Sequence, residues 1–259
     1  MEKVIVVTGG SRGIGAAICT LAAESDYAVA INYNRSADQA AILADRIRGR
    51  GGKAAAIQAD VTRESEVVRL FETVDRELGR VTALVNNVGG GKVGPEKRGY
   101  RLEEIESAAI AAILDLNLVS TILCSREAVR RMSTKRGGSG GAIVNISSDC
   151  GRRGGPVTRK DGVGGILLYG AAKAAVDLLT TGLAVEVAEE GIRVNAVRPA
   201  TIVTDAHSTD GPDHYLKMAR LIPMSRPGQP REVAEVVLFL LSEGASFTTG
   251  THVDVTGGR

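Results

Sequence analysis

The chain has 259 residues, 44% of them hydrophobic and 32 of them glycine, so it can build one large α/β unit with a substantial core. A net charge of +2 gives no general attraction to nucleic acid. No continuous apolar run approaches the ~18 residues that cross a bilayer, and no cleavable signal precedes the first apolar run. Three scattered cysteines and three histidines predict no metal site and indicate a reduced, cytoplasmic protein.

Short β-branched runs alternate with segments of helical periodicity along the whole chain, which predicts a doubly wound parallel sheet with helices on both faces. We assign a single domain, residues 1–259. Two glycine-rich, charged stretches, Gly89–Arg101 and Gly151–Leu168, carry no assigned element. The predicted strands are Val4–Thr8, Val29–Tyr33, Ala54–Gln58, Ala83–Asn86, Ala142–Ile146, Arg193–Arg198 and His252–Val255. The predicted helices are Ala16–Ser25, Ala37–Arg48 (capped by Ser36), Glu64–Leu78 (closed by Gly79), Leu102–Arg131, Tyr169–Glu190 and Arg231–Leu241.

A glycine-rich turn, Thr8–Gly15, stands directly between the first strand and the first helix. Its glycines allow a tight turn and a close approach of the backbone to a pyrophosphate, whose charge the amide groups at the start of the helix attract. No Gly-Lys-Ser/Thr follows, so this is not a Walker A loop. The turn therefore predicts a dinucleotide site, and its predicted contacts are Gly9, Ser11, Arg12, Gly13, Ile14 and Gly15.

The end of the second strand bears on which dinucleotide binds. An NAD site has an acidic residue about 20 positions after the turn, where it binds the ribose hydroxyls. Here that position is Arg35, within Asn34–Arg35–Ser36, and Arg12 adds a second guanidinium. Arginine forks suit a 2′-phosphate, which favours NADP(H) over NAD(H). The alternative is that both arginines are solvated surface charges.

A Tyr-x-x-x-Lys motif, Tyr169 to Lys173, opens the long helix after the fifth strand. Residues four apart share a helix face, and a neighbouring ammonium favours an ionised phenol, which suits acid–base catalysis. With Asn86–Asn87–Val88–Gly89 after the fourth strand and Asn145–Ile146–Ser147–Ser148 at the fifth, these motifs resemble the classical short-chain dehydrogenase/reductase family from Thr8 to Gly258.

The resemblance implies a Rossmann-like sheet of about seven strands, a homotetramer or dimer, and hydride transfer between a nicotinamide and the carbonyl or alcohol of a small molecule. It implies that Tyr169 exchanges a proton with the substrate and that Lys173 lowers its pKa and binds the nicotinamide ribose. Ser148, preferred to Ser147, would hydrogen-bond the substrate oxygen, and Asn117 would hold a water that links Lys173 to solvent. The further implied cofactor contacts are Asp60 and Val61 at the adenine, Asn87 and Gly89 at the ribose, and Pro199, Ile202 and Thr204 at the nicotinamide.

Three features depart from the family pattern. Val88 and Ala200 replace the usual alanine and glycine, and each adds bulk without removing a functional group. Tyr169 follows Ser148 by 21 positions, a longer interval than in the family, so Arg152–Gly165 is an insertion where substrate should enter.

The substrate class stays open among 3-oxoacyl thioesters, sugars or polyols, and small ketones. Basic clusters near the presumed mouth favour either an anionic substrate or plain solvated charge. Glu189–Glu190, where carrier-protein reductases often have a basic residue, counts against a carrier protein. The stretch Asp205–Tyr215 matches the family's mobile substrate loop. The basic residues are Lys92, Lys97, Arg98, Arg101, Arg152, Arg153, Arg159 and Lys160, and the loop histidines are His207 and His214.

Two other functions fit the same fold. One is a non-catalytic NADP-binding sensor or regulatory protein, which would bind cofactor without turnover. The other is a dehydratase or epimerase, which would show no net change in nicotinamide absorbance. The presence of both Tyr169 and Lys173 favours the oxidoreductase.

Overall fold

A computed structural model describes residues 3–91, 102–154, 166–205 and 213–259. Seven strands form one fully parallel sheet in the order β3-β2-β1-β4-β5-β6-β7, which confirms the predicted doubly wound, Rossmann-like fold. The chain crosses from β3 back past β1 to β4, so the order reverses between β1 and β4. The strands are β1 (Lys3–Val7), β2 (Tyr27–Tyr33), β3 (Ala54–Gln58), β4 (Ala83–Asn86), β5 (Gly141–Ile146), β6 (Ile192–Pro199) and β7 (His252–Val255).

Helices cover both faces of this sheet. In chain order they are α1 (Gly13–Glu24), α2 (Ala37–Arg48), α3 (Glu64–Glu77), α4 (Ser107–Leu114), α5 (Ser120–Met132), α6 (Asp149–Arg153), α7 (Leu167–Val187), α8 (His214–Ala219) and α9 (Pro230–Leu241).

The structure corrects the helix prediction in three places. The single helix predicted over Leu102–Arg131 is a 3₁₀ turn at Leu102–Glu104 followed by α4 and α5, which a π-helical turn at Asp115–Val119 joins. Helices α6 and α8 lie in stretches that we had left without a helix. Both are short, six residues or fewer, and amphipathic periodicity does not reveal a helix of that length.

Alternation along the strands divides the core between the two faces. On β1, Ile5 and Val7 pack with α1, α2 and α9, whereas Val4 and Val6 face α3, α5 and α7. All four side chains are at most 1% exposed. Because both faces are buried, the strands read as continuous apolar runs, as parallel strands do.

Helix ends show which local predictions were correct. Gly79 follows α3 with φ +102° and its amide donates to Val74 O at 3.1 Å, so it closes the helix as predicted. Ser36 does occupy the N-cap position of α2, but its side chain makes no capping hydrogen bond, contrary to the prediction.

By length and composition alone, one described helical stretch passes the test for a membrane span. Ser107–Met132 has 26 residues, and its most apolar window has a mean hydropathy of 1.8 and is 22% buried. It is not a continuous apolar run: Asn117 is fully buried within it, and Glu127 pairs with Arg131 at 2.9 Å. Helices that pack on a sheet pass the same test, so it is weak evidence for a span.

Candidate active site

The glycine-rich turn lies at the carboxyl edge of the sheet, after β1. Gly9 and Gly13 have φ of +60° and +56°, the left-handed region that glycine enters without strain. A Cβ on Gly15 would collide with Gly9 O and would lie 2.7 Å from Asn87 Nδ2. Glycine is thus required where the helix start, the turn and the end of β4 meet.

Asn87 ties the turn to the end of β4. Its side-chain amide donates to Thr8 O at 2.9 Å and to Gly9 O at 3.1 Å, while its backbone amide donates to Thr8 Oγ1 at 2.9 Å. On the other side, Gly10 N donates to Asn32 O at 2.8 Å. The turn is therefore held between β2 and β4, at the place where the strand order reverses and such sheets bind ligands.

An open cavity of about 490 Å³ lies beyond the ends of β2 and β3. Arg35 lines it, as we expect of a residue beside the adenosine, but Arg12 does not. Two further arginines that the sequence analysis missed, Arg63 and Arg69, also line it; its other lining residues are Asn34, Gln58, Asp60 and Glu66.

Asp60 and Val61 form the tight turn that ends β3. Asp60 Oδ1 accepts hydrogen bonds from Thr62 N at 3.1 Å and Thr62 Oγ1 at 2.7 Å, and Asp60 N donates to Glu66 Oε2 at 2.8 Å. Val61 is 4% exposed. The turn thus orders the wall of the cavity next to Arg63, which lies 3.6 Å from Glu66.

Tyr169 and Lys173 stand together in the first turns of α7, as the i, i+4 spacing predicts. Lys173 is 2% exposed; its Nζ lies 5.7 Å from the centre of the Tyr169 ring and donates to Ile146 O at 2.8 Å. Burial lowers the pKa of Lys173 to about 8, and the Asp177 carboxylate opposes that shift. A buried amine beside a phenol is an arrangement suited to proton transfer.

Asn117 reaches the same place from the π-helical turn. Its Oδ1 accepts from Gly90 N at 3.0 Å, and its Nδ2 donates to Gly90 O at 3.0 Å and Ile113 O at 2.9 Å. A Cβ on Gly89 would lie 2.8 Å from both Asn117 Oδ1 and Lys173 Nζ. Gly89 therefore packs closely beside both Asn117 and Lys173. Turns of the π-helical kind occur often at functional sites.

The two serines after β5 have different surroundings. Ser147 Oγ donates to Lys173 O at 3.1 Å, which commits it to the backbone of α7. Ser148 is the N-cap of α6, and its Oγ accepts from Cys150 N at 3.2 Å, so its hydroxyl proton is not used in that bond. This difference is consistent with our preference for Ser148.

Helix α6 packs directly against α7 through two glycines. A Cβ on Gly151 would lie 2.9 Å from Ala174 N, and one on Gly170 would lie 3.0 Å from Cys150 O. The backbones of the two helices thus nearly touch, which fixes the start of α6, with Ser148 as its N-cap, beside α7. The Ser-Asp pair that starts α6 was the sequence signal for this helix, since both residues favour helix N-termini.

The stretch after β6 meets both the glycine-rich turn and α8. Ile202 is 4% exposed and pairs with Gly228, and Thr204 lies opposite Gly13, whose added Cβ would come within 3.3 Å of Thr204 Cγ2. The Tyr215 hydroxyl accepts from Thr204 N at 3.0 Å and donates to Thr204 O at 2.9 Å. Nothing in the sequence pattern indicated this contact.

Several residues of the substrate prediction lie outside the described part of the chain. Of the charged residues that are described there, Arg152 pairs with Asp254 at 3.0 Å, and Asp149 lies 3.6 Å from Arg259. The residues outside the described ranges are Lys92, Lys97, Arg98, Arg101, Arg159, Lys160 and His207.

Comparison with known proteins places this geometry in a family. A family model described as enoyl-(acyl carrier protein) reductase matches residues 9–259. The protein named uncharacterized oxidoreductase YgfF from Escherichia coli (strain K12) is 43% identical over 257 residues, 99% of each chain. The 3-oxoacyl-[acyl-carrier-protein] reductase FabG from Staphylococcus epidermidis is 36% identical over 258 residues, 100% of this chain and 99% of that one.

A solved structure gives the same result. The short-chain dehydrogenase from Burkholderia cenocepacia J2315, in complex with NADP, superposes with a TM-score of 0.86 at 33% identity, over 99% of this chain and 97% of that one. This protein belongs to the short-chain dehydrogenase/reductase family. Within the family it is an oxidoreductase that binds a nicotinamide cofactor.

Proposed function

We propose that the protein is an NADP(H)-dependent oxidoreductase that interconverts a carbonyl compound and the corresponding secondary alcohol. The observation that carries the proposal is the buried Lys173 ammonium, 5.7 Å from the Tyr169 ring, with Asn117 and Gly89 packed beside it. When bound, the nicotinamide supplies or accepts the hydride. The protein must then supply or accept one proton at the substrate oxygen.

Tyr169 is the proposed proton donor and acceptor. A cation beside a phenol stabilises the phenolate, so Lys173 prepares Tyr169 to give up its proton to a carbonyl oxygen or to take one from an alcohol. Ser148 orients the substrate oxygen through its hydroxyl. Asn117, held by Gly90 and Ile113, is the residue that we propose to hold a water linking Lys173 to solvent.

The chain fits the cofactor at the glycine-rich turn. Positive φ at Gly9 and Gly13, together with the absence of a side chain on Gly15, leaves the backbone open where a pyrophosphate would approach the start of α1. The residues that we propose to hold the dinucleotide are Gly9, Ser11, Arg12, Gly13, Ile14, Gly15, Asn34, Arg35, Ser36, Asp60, Val61, Asn87, Gly89, Tyr169, Lys173, Pro199, Ile202 and Thr204.

Preference for NADP(H) over NAD(H) is proposed from the cavity beyond β2. Arg35 stands where an NAD site has its carboxylate, and Arg63 and Arg69 line the same cavity. Both of those arginines face Glu66, at 3.6 Å, so Arg35 is the guanidinium that we expect to bind the 2′-phosphate. Arg35→Asp should raise the Michaelis constant for NADPH far more than that for NADH. Equal changes would overturn the preference.

The substrate is best sought among small carbonyl compounds and acyl thioesters. FabG of Staphylococcus epidermidis is a 3-oxoacyl-[acyl-carrier-protein] reductase, which makes 3-oxoacyl thioesters the first class to test. Glu189, whose side chain is 90% exposed, takes the position at which carrier-protein reductases often have a basic residue, and a carboxylate there would repel an acidic carrier. We therefore place a free thioester, a sugar or polyol, or a small ketone ahead of a carrier-bound substrate.

The test is a screen of NADPH oxidation and NADP reduction across ketones, sugars and acyl thioesters, repeated with Tyr169→Phe. That variant should lose turnover about 100-fold or more and still bind NADPH. The control is Tyr27→Phe, which also removes a phenolic hydroxyl, but at the start of β2 on the opposite edge of the sheet. It should keep wild-type activity. Full activity of Tyr169→Phe would refute the mechanism. Binding without turnover by the wild type would instead indicate the non-catalytic sensor.

We further propose that the protein is cytoplasmic and forms a homotetramer or dimer. Cys19, Cys124 and Cys150 are free thiols, a form that a reducing compartment would maintain. On α7, Leu178 and Val185 are 75% and 78% exposed and lie seven residues apart on one face, which suits contact with a second copy. Leu178→Glu should lower the molar mass measured by light scattering; an unchanged mass would exclude this face.

A further inference from the structure

Four charged side chains outside the proposed catalytic and cofactor set form a chain across one end of the sheet. Asp177 on α7 accepts a hydrogen bond from Arg198 Nε on β6 at 2.9 Å. Arg198 Nη1 lies 3.8 Å from Asp254 Oδ1 on β7, and Asp254 Oδ2 lies 3.0 Å from Arg152 Nη1 on α6. We call these four residues the charged chain. Arg198 and Asp254 are register partners in the sheet, so their side chains share a face.

Three members of the charged chain lie within four positions of a proposed site residue in the sequence. Arg152 comes four residues after Ser148, and Asp177 comes four residues after Lys173. Arg198 directly precedes Pro199, the start of the proposed nicotinamide stretch. The charged chain therefore joins the three elements that carry the proposed chemistry.

The Asp177 end of the charged chain is buried and faces Lys173. The Asp177 side chain is 11% exposed and the Arg198 side chain 18%. Asp177 Oδ2 is the oxygen that binds Arg198, and Asp177 Oδ1 is buried with no hydrogen-bond partner among the described residues. On α7 the i, i+4 spacing puts Asp177 and Lys173 on the same face. A buried carboxylate that is only half neutralised thus lies one turn from a buried ammonium.

We propose that Asp177 is a positioning residue that keeps Lys173 in its ammonium form, and that Arg198 limits this effect by neutralising one of the carboxylate oxygens. The proposal deepens the proposed function, because the proposed role of Lys173 requires its charge. The roles that the family resemblance implies for Lys173 concern Tyr169, the nicotinamide ribose and the water at Asn117, and they include neither Asp177 nor Arg198. Under this proposal, Asp177 on α7 and Arg198 on β6 set how much of Lys173 is in the ammonium form, although neither belongs to the proposed catalytic and cofactor set.

The charged groups around Asp177 are consistent with this assignment. From β7, a His252 ring nitrogen lies 2.9 Å from the backbone oxygen of Asp177, and so meets its carbonyl rather than its carboxylate. Arg152 on α6 is directed to Asp254. Among the described residues near this end, Asp149 and Arg259 lie 3.6 Å from each other. Among the described residues, Arg198 is the only cation recorded as an ion-pair partner of the Asp177 carboxylate.

The proposal predicts that removing Asp177 and removing Arg198 shift the pKa of Lys173 in opposite directions. Burial lowers the pKa of Lys173 to about 8, and the charge of Asp177 raises it. Asp177→Asn removes that charge and leaves Arg198 facing Lys173, so the pKa of Lys173 should fall further. Arg198→Gln leaves the full charge of Asp177 to act on Lys173, so the pKa should rise. Loss of packing alone would not give two opposite shifts.

The experiment measures the free energy of unfolding in urea, without substrate or cofactor, between about pH 6 and pH 10.5. The contribution of Lys173 is isolated by subtracting the curve of the same protein that also carries Lys173→Met. In the wild type this difference should begin to rise near the folded-state pKa of Lys173, about 8. Asp177→Asn should move that onset to lower pH by about one unit, and Arg198→Gln should move it to higher pH.

Two controls separate the effect from general destabilisation. Asp75→Asn breaks another aspartate–arginine pair, to Arg131 at 2.7 Å where α3 and α5 end, and should leave the onset unchanged. Asp177→Glu keeps the negative charge, so the pH at which the stability difference begins to rise should stay close to that of the wild type. An unchanged onset in Asp177→Asn, or shifts of the same sign in both variants, would overturn the proposal. If Asp177→Asn does not fold, the sign of the Arg198→Gln shift decides alone.

This measurement involves neither activity nor cofactor. The stability difference would therefore still rise with pH in a protein that has no oxidoreductase activity. A failure of the proposed function can therefore be told from a failure of this inference. A second readout is the fluorescence-detected Kd for NADPH at pH 9, where Asp177→Asn should bind several-fold more weakly than the wild type and Asp75→Asn should not.

Discussion

The glycine-rich turn and the Lys173 region lie at the same edge of the sheet but are built in opposite ways. In the turn, Gly9, Gly13 and Gly15 supply backbone conformation and the absence of side chains. Around Lys173, a buried charged side chain is held by groups far away in sequence, at Ile146 and Gly89. The turn tolerates almost no added volume, whereas the Lys173 region is sensitive to charge and hydrogen bonding.

The sharpest test of this difference is Gly15→Ala. The added Cβ would collide with Gly9 O and press on Asn87 Nδ2, both fixed by hydrogen bonds, so the turn must move. We expect a loss of more than about 3 kcal/mol in the free energy of unfolding, measured in urea, and loss of NADPH binding.

The matched control is Gly51→Ala. Gly51 also has positive φ, +86°, but nothing lies within 4 Å of its added Cβ. Gly51→Ala should lower the free energy of unfolding by about 1 kcal/mol, because alanine must adopt the left-handed backbone conformation there. Equal losses in the two variants would show that crowding does not distinguish the turn.

The Lys173 region should instead respond to pH. Its pKa is about 8 in the folded protein against 10.5 for an unperturbed lysine, so the unfolded state binds more protons between these values. Stability should therefore rise with pH in this window, by up to about 3 kcal/mol at ~1.36 kcal/mol for each unit. Lys173→Met should remove that rise, and urea unfolding at pH 7, 8, 9 and 10 measures it. A parallel pair of curves would contradict the burial of a charged lysine.

The same contrast explains what the sequence could predict. Glycine turns, strand alternation and the i, i+4 pair Tyr169 and Lys173 are local patterns, and the fold and the turn followed from them. The π-helical turn at Asn117 did not, because five residues are too few for the apolar periodicity to reveal a change of helix type. The contacts of Arg198 and Tyr215 join elements that meet only after folding, and spacing carries no signal for such contacts.

Asn117 tests the hydrogen-bonded part of the Lys173 region. Asn117→Ala would deprive Gly90 N and Gly90 O, which are half-buried, of the fully buried side-chain amide that binds both. We expect a loss of about 2 kcal/mol in the free energy of unfolding. Asn34→Ala, at an exposed position, should stay within about 0.5 kcal/mol of the wild type. Similar losses of stability at both positions would contradict a stabilising role for the hydrogen bonds of Asn117.

The smallest expected effect is at the boundary between the two regions, where Thr204 lies opposite Gly13 and is held by Tyr215. Tyr215→Phe removes one oxygen that both accepts from Thr204 N and donates to Thr204 O. The loss of two hydrogen bonds to one backbone residue should lower stability by about 1 kcal/mol.

Cofactor affinity is the more informative readout for Tyr215→Phe, because the stretch after β6 packs on the glycine-rich turn. If Tyr215 holds Thr204 in place for the nicotinamide, NADPH should bind several-fold more weakly, while Tyr27→Phe should bind as the wild type. A change in stability with no change in affinity would mean that α8 merely packs against Thr204. A change in affinity would mean that the backbone-built turn and the side-chain-built site are coupled through a single phenol.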